Sequence, residues 1–431
     1  MLSLSPLDPW IAHKIATPQS SPTRAEIEAW QVRKLNETLA LVRGKSAFYR
    51  KHFAGMPERI TTLEELRQFP FTTPEEIRAN PLRFVCVSQD EIHRVVTLQS
   101  SGTTGEPKRI FFTAEDQELT IDFFGVGMST LTEPGERVLI FLPGETPGSV
   151  GDLLRMGLAR LDRVPLPYGP IRDPLHALET MESAQADCLV GSPTQILGLA
   201  RRWNPKNKAP RTVLLSTDYV PAAIVRELER VWECEVFNHY GATEMGLGGG
   251  VECAAHRGFH LREADLYFEI IPPEPGEPVP NGDYGEVVFS TLTRRGMPLV
   301  RYRMGDQSRF VPGACPCGTV LRTMEAVRGR FSGFVEMGGG VLKLPDFDEV
   351  LFAVPGVLNF RVTVAAEEGR ERVIVEAQML EAGDSVRAVE KALGEVPSIR
   401  NLEVEVRCQH HPQEPGSLLK RVILDKRGQD A

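Results

Sequence analysis

"RTVLLSTDYVPAAIVRELERVWECEVFNHYG", residues 211–241, reads as strand, helix and strand in succession. "RTVLLST" and "CEVFNHYG" are short apolar runs, while "PAAIVRELERVWE" between them spaces its apolar side chains as a helix does. Two strands joined through a helix pair in parallel, because the crossover returns the chain to the same end of the sheet. Working upstream, "RVLIFLP" (137–143) and "DCLVGSP" (187–193) repeat the strand pattern, and "DPLHALETMESAQ" (173–185) repeats the helix. An α/β fold built on a parallel sheet is the expectation. Downstream, turn signals break residues 264–293 and 298–313 into β-type runs, which predicts an antiparallel β region appended to the α/β body.

The flanks complete the outline. Residues 23–52 have helical periodicity behind Thr23 and Glu26, a capping box, and "TTLEELRQF" (61–69) and "TTPEEIRAN" (72–80) read as two further capped helices, the second with Pro74 at its start. A boundary falls near 330, after "RGRFSG". Beyond it, a hairpin over 357–380, a helix over 384–396 and a strand over 401–408 predict a small α+β C-terminal domain. The division is therefore 1–330, a large α/β domain, and 331–431, a small mobile one.

Composition excludes several classes of function. The 431 residues have a net charge of −9 and are 42% hydrophobic, which disfavours both a nucleic-acid partner and disorder. No apolar run approaches the roughly 18 residues that span a bilayer, and prolines interrupt the N-terminal stretch, so a cytoplasmic protein is expected. The seven cysteines suggest reduced thiols or a metal site.

"SSGTTGEPK", residues 100–108, is the chemical signal. Small hydroxylic residues and glycines let backbone N–H groups crowd an anion, and Lys108 adds a point charge, so the stretch reads as a phosphate cradle at the tip of a hairpin between "HRVVTLQ" and "RIFFT". It is not the G-x-x-x-x-G-K-[ST] loop. "ECAAHRGFH" (252–260) and "GACPCGT" (313–319) form a second signal. Cys253, Cys315 and Cys317 with either His256 or His260 could close a tetrahedral shell around zinc. Cys86, Cys188, Cys234 and Cys408 read as small core residues.

Three segments in order, "SSGTTGEPK", "NHYGATEMG" (238–246) and "LVRYRMGD" (299–306), resemble the adenylate-forming enzymes. "FPFTTPEEIRANP", "YGATEMGLGGGVECAAHRGFHLREADLYFEI" and "GEVVFSTLTRRGMPLVRYRMGD" narrow the resemblance to the phenylacetate–CoA ligase branch, over about residues 25–330. What it implies is attack of a carboxylate on the α-phosphate of ATP, giving acyl-AMP, and transfer of the acyl group to CoA. The protein's task is then to neutralise and position phosphates. By resemblance Ser100, Ser101, Gly102, Thr103, Thr104, Gly105 and Lys108 contact ATP, with Thr103 and Lys108 among the catalytic groups. Glu244 helps hold Mg²⁺. Tyr240 would stack on adenine, and Gly241 and Thr243 of the same motif belong to the nucleotide-binding set. Ser216, Thr217 and Asp218 stand where the family has its adenine loop, Asp306 where it binds the ribose hydroxyls, and Arg330 where an arginine precedes the hinge. The resemblance also favours His260 over His256 in a structural zinc site with Cys253, Cys315 and Cys317.

The chain departs from the family at its end. "GRFSGFVEMGGGVLKLP" (329–345) lacks the acids that usually follow the hinge, and "PGSLLKRVILDK" (415–426) leaves Lys420 as the nearest candidate for the C-terminal catalytic lysine. Two readings follow: a ligase, or an adenylate-binding protein on the same fold without turnover. The acyl pocket is expected beside "FLPGETPGSVGDLL", "LVGSPTQI" and "GLGGG", with Phe141 and Leu142 as walls for an aryl or other compact acid, and the family suggests a homodimer.

Overall fold

The computed structural model describes the chain except residues 1–3, 99–106, 273–278, 281, 339, 368–369, 382–384, 412, 417–420 and 428–431. It divides into two compact units, one of residues 1–131, 146–161 and 239–326, the other of residues 132–145, 162–238 and 327–431.

In the first unit the helix Arg24–Lys45 starts at the expected box, with the Thr23 side chain and Glu26 closing on each other's backbone, and Pro74–Ala79 starts the same way at Thr73 and Glu76. The helix expected over 61–69 is instead a short 3₁₀ turn, Glu64–Gln68. Its N-cap, Leu63, has no side-chain acceptor to offer, and Pro70 bars extension. Strands Arg94–Leu98 and Lys108–Phe112 pair antiparallel with Leu98 opposite Lys108, so the strands flanking the cradle form the expected hairpin. Leu266–Ile271, Gly285–Thr291 and Tyr302–Ser308 make a three-stranded antiparallel sheet, the appended β region. Buried and half-buried residues alternate along Tyr302–Ser308, which puts Tyr302 and Asp306 on the same face. Arg301 anchors the start of this strand. Its guanidinium pairs with Glu269 at 3.0 Å and donates to the carbonyls of Arg67 and Phe69 at 2.8 and 2.6 Å.

Strands Arg137–Ile140, Val164–Pro167, Cys188–Gly191, Thr212–Leu215 and the start of Glu235–Tyr240 form the parallel sheet of the second unit. The quoted strand–helix–strand is present, with Ala222–Trp232 as the crossover. Val164–Pro167 was not legible as a strand, since Pro165 and Pro167 argue against one. The sheet tolerates them because this strand lies at its edge. Strands Val357–Glu367 and Arg370–Met379 pair antiparallel as the expected hairpin, joined by Glu403–His410 and Ile423–Asp425 into a four-stranded sheet. The fold is thus the α/β body, antiparallel region and α+β C-terminal part that the sequence implied. Phe347, Val362 and Val375 of the C-terminal part share one apolar cluster with Leu189, Ile224 and Leu228 of the parallel-sheet layer.

One close approach fixes two helices of the first unit. Ala114–Met128 and Val150–Ala159 cross at Gly125 and Gly157, where a Cβ on Gly157 would lie 2.7 Å from the Ile121 carbonyl oxygen and 2.8 Å from the Gly125 nitrogen. Backbone atoms cannot step aside as side chains do, so Gly157→Ala should destabilise the protein by about 1–3 kcal/mol. A lowered thermal midpoint checks this, and an unchanged one would mean that the helices do not touch there.

Candidate active site

Lys108 opens strand Lys108–Phe112, and its side chain is largely buried. The ammonium donates to the Glu244 carboxylate and, at 3.0 Å, to the Tyr302 hydroxyl, which itself donates to Glu244 at 3.3 Å. Two charges removed from water stabilise the fold only as a hydrogen-bonded pair. Glu244 is held in place by a tight 3₁₀ turn, Thr243–Met245, that follows the strand ending at Tyr240. Gly241 is required there, because a Cβ would fall 1.9 Å from the Leu247 carbonyl oxygen. Gly246 ends the turn at φ +78° and its carbonyl accepts from Thr120 at 2.9 Å.

Arg294, unnoticed in the sequence, fastens both halves of this pair. Its guanidinium donates to the Glu244 carbonyl at 2.5 Å and to the carbonyl of Phe111, on the Lys108 strand, at 3.2 Å, while lying 4.3 Å over the Phe112 ring. Burial lowers its pKa, an effect that Asp116 and then Glu244 oppose. Asp116 in turn accepts from the backbone N–H groups of Arg295 and Gly296 at 2.8 and 2.9 Å, fixing the turn that presents Arg294.

Tyr240 and Asp306 meet beside this cluster's strands. The Tyr240 hydroxyl donates to Asp306 at 3.0 Å and its ring stacks on Phe259 at 5.8 Å. Behind Tyr240, His239 lies 6.4 and 5.9 Å from the rings of Phe123 and Phe124, and burial brings its pKa down to about 4, so it is neutral at pH 7.

In the second unit Ser216, Thr217 and Asp218 follow the end of strand Thr212–Leu215, with Thr217 at φ +80° and Asp218 accepting from the Tyr219 N–H at 2.9 Å. Arg330 stands at the N-cap of the 3₁₀ turn Phe331–Gly333. Phe141 and Leu142 are buried, Phe141 against Tyr168 at 5.2 Å. Ser100, Ser101, Gly102, Thr103, Thr104, Gly105 and Lys420 lie outside the described residues.

Cys253, His260, Cys315 and Cys317 converge, their ligand atoms all within 4.8 Å of one another. The Cys253 and Cys315 sulfurs are 3.7 Å apart, the Cys317 sulfur is 3.3 Å from His260 Nε2, and Thr323 Oγ1 stands 3.2 Å from Nδ1 on the ring's other side. Antiparallel pairing of Thr323 with His260 builds this arrangement. His256 is exposed and lies 3.5 Å from Glu252 instead. Burial and the adjacent thiols push the Cys253 thiol well above its ordinary range, and burial takes His260 down to about 4. A sulfur spacing near the roughly 3.8 Å edge of a tetrahedron with 2.3 Å metal–sulfur bonds fits a thiolate metal site.

Residues 54–293 match the family model of the AMP-binding enzymes. The phenylacetate-coenzyme A ligase of Thermus thermophilus is 29% identical over 365 residues, 80% of this chain and 80% of that protein. Its Escherichia coli namesake is 27% identical over 319 residues, 71% of each. Among solved structures, a 2-hydroxyisobutyryl-CoA ligase in the postadenylation state has a TM-score of 0.80 at 18% identity, covering 94% of this chain and 90% of that one. The anthranilate CoA ligase AuaEII with anthranoyl-AMP has 0.54 at 15%, covering 76% and 65%. At those identities the likeness is one of fold. With a family model spanning more than half its length and curated ligases aligned over most of it, the chain belongs to the AMP-binding, adenylate-forming enzymes, in the branch of the phenylacetate–CoA ligases.

Proposed function

We propose that this protein is an ATP-dependent acid–CoA ligase that activates an aryl or other compact carboxylic acid as acyl-AMP and passes the acyl group to CoA. The buried contact of Lys108 with Glu244 supports the reading most directly. It brings a phosphate-seeking ammonium from the end of the Ser/Thr/Gly loop to the one acid that the ligase motif reserves for magnesium. Phosphoryl and adenylyl transfer need charge neutralisation more than covalent help from the protein, and a cation beside a hard carboxylate oxygen supplies both attachment points.

Within this reading Lys108 and the loop residues Ser100–Gly105, Thr103 among them, hold the triphosphate, and Tyr302 keeps Lys108 and Glu244 in register. Glu244 is the magnesium ligand, the ion supplying compensation of phosphate charge when bound. Tyr240, Gly241, Thr243 and the 216–218 loop line the base, Asp306 takes the ribose hydroxyls, and Arg330 stands at the hinge. Residues 331–431 turn between the half-reactions to admit the thiol, and Lys420 acts in the first of them. Relatives named for phenylacetate point to an aryl acid. Cys253, His260, Cys315 and Cys317 fit zinc in a closed, structural shell, tying the segment after Glu244 to the segment after Asp306.

A pyrophosphate-exchange assay over aryl and short-chain acids tests the assignment: magnesium-dependent exchange with at least one aryl acid is expected, and silence with every acid would refute it. Lys108→Met should lower that exchange by about 10²–10³-fold, as removal of a single preorganised charge donor does. Glu244→Gln should shift the magnesium requirement upward by about tenfold or more. Normal activity in either variant would remove the pair from the chemistry. Elemental analysis should find close to one zinc per chain, with Cys315→Ser losing most of it and melting earlier. Metal-free protein of full stability would contradict the zinc site.

A further inference from the structure

The loop that contains Ser216, Thr217 and Asp218 is held from the C-terminal part of the same compact unit at several points. Glu349, on helix Leu344–Leu351, accepts from the Tyr219 hydroxyl at 3.0 Å and from the backbone N–H groups of Ala222 and Ala223 at 2.8 and 3.1 Å. Those two N–H groups open the helix Ala222–Trp232, whose own N-cap, Pro221, makes no side-chain cap. Glu349 therefore caps a helix to which it does not belong, and its charge suits the positive end of that helix dipole.

Asp348 and Arg421 act alongside it. Arg421 Nη1 donates to Asp348 Oδ1 at 2.6 Å, and Nε stands 3.5 Å from Asp218 Oδ2, so one guanidinium spans an acid on the helix and an acid on the loop. Asp348 is fully buried, and the Arg421 side chain is 7% exposed, lying 4.9 and 5.2 Å from the rings of Phe352 and Phe360. Burial pushes the Asp348 carboxyl up to about 7 despite Arg421. Thr217, between the loop's other residues, sits at φ +80°, a conformation that a β-branched residue keeps only where its surroundings impose it. Arg421 and Glu349 hold the two residues that follow it, Asp218 and Tyr219.

We propose that Arg421 and Glu349 are positioning residues, clasping residues 216–222 in the shape that receives the adenine, so that affinity for ATP depends on the C-terminal segment being seated. The nucleotide role of residues 216–218 rests on the proposed function; the clasp itself does not.

Hydrogen–deuterium exchange on the full-length protein without nucleotide separates the two. Three proteins are compared: wild type, Glu349→Ala, and the pair Arg421→Met with Asp348→Asn, which leaves no buried carboxylate without its counter-charge. The clasp requires amides in 216–224 to exchange at least about tenfold faster in both variants while those of strands Arg137–Ile140 and Cys188–Gly191 stay unchanged. In pyrophosphate exchange, KM for ATP should rise about tenfold with kcat within about twofold. Restoring Asp348 with Arg421→Lys should recover part of the affinity, since an ammonium still reaches one acid. Unchanged amides in 216–224, or acceleration spread evenly over the unit, would overturn the clasp. Loosened amides with an unaltered KM for ATP would overturn its link to the nucleotide. A wild-type protein silent with every acid would sink the proposed function while the amide data still decide whether the clasp exists.

Discussion

A lysine and a glutamate of the first unit, both nearly withdrawn from water, face each other, and the unit is arranged to keep them there. Each charge alone would cost several kcal/mol to bury, so neither side chain is free to leave without its partner or a substitute for it. Tyr302 adds a hydroxyl to the contact, and Arg294 binds the backbone carbonyls on both sides, one in the Glu244 turn and one on the Lys108 strand. In the function proposed above, a magnesium–triphosphate pair would be such a substitute, offering a cation to the glutamate and anions to the lysine. On the proposed function, the geometry that holds these two charges together is also the one that would receive a nucleotide.

The strand–helix–strand over 211–241 was readable because its apolar period changes from runs to helical spacing within one segment. The edge strand Val164–Pro167 was not, since proline is a poor strand former anywhere but at an edge, and only the assembled sheet shows which strand is the edge. The turn Glu64–Gln68 had helical composition but neither a cap nor room to extend.

The same contrast holds at the site. Lys108, Glu244 and Asp306 stand in short motifs that the resemblance singles out. Tyr302 reads as one more alternating strand residue, and Arg294 as one of two adjacent arginines; their roles come from side chains more than 45 positions away. Cys315 and Cys317 were evident from their spacing, and strand pairing of His260 with Thr323 puts the favoured histidine, not His256, beside them. Not legible either was the apolar cluster through which residues on either side of position 330 share one unit.

Calorimetric titration of the purified protein with ATP, with and without magnesium, tests the central claim most directly. Binding of one nucleotide per chain, tightened by magnesium and abolished when Lys108 and Glu244 are replaced together, is the result this structure requires. Absence of any binding heat over a range of temperatures with magnesium present, or binding indifferent to the loss of both side chains, would contradict it.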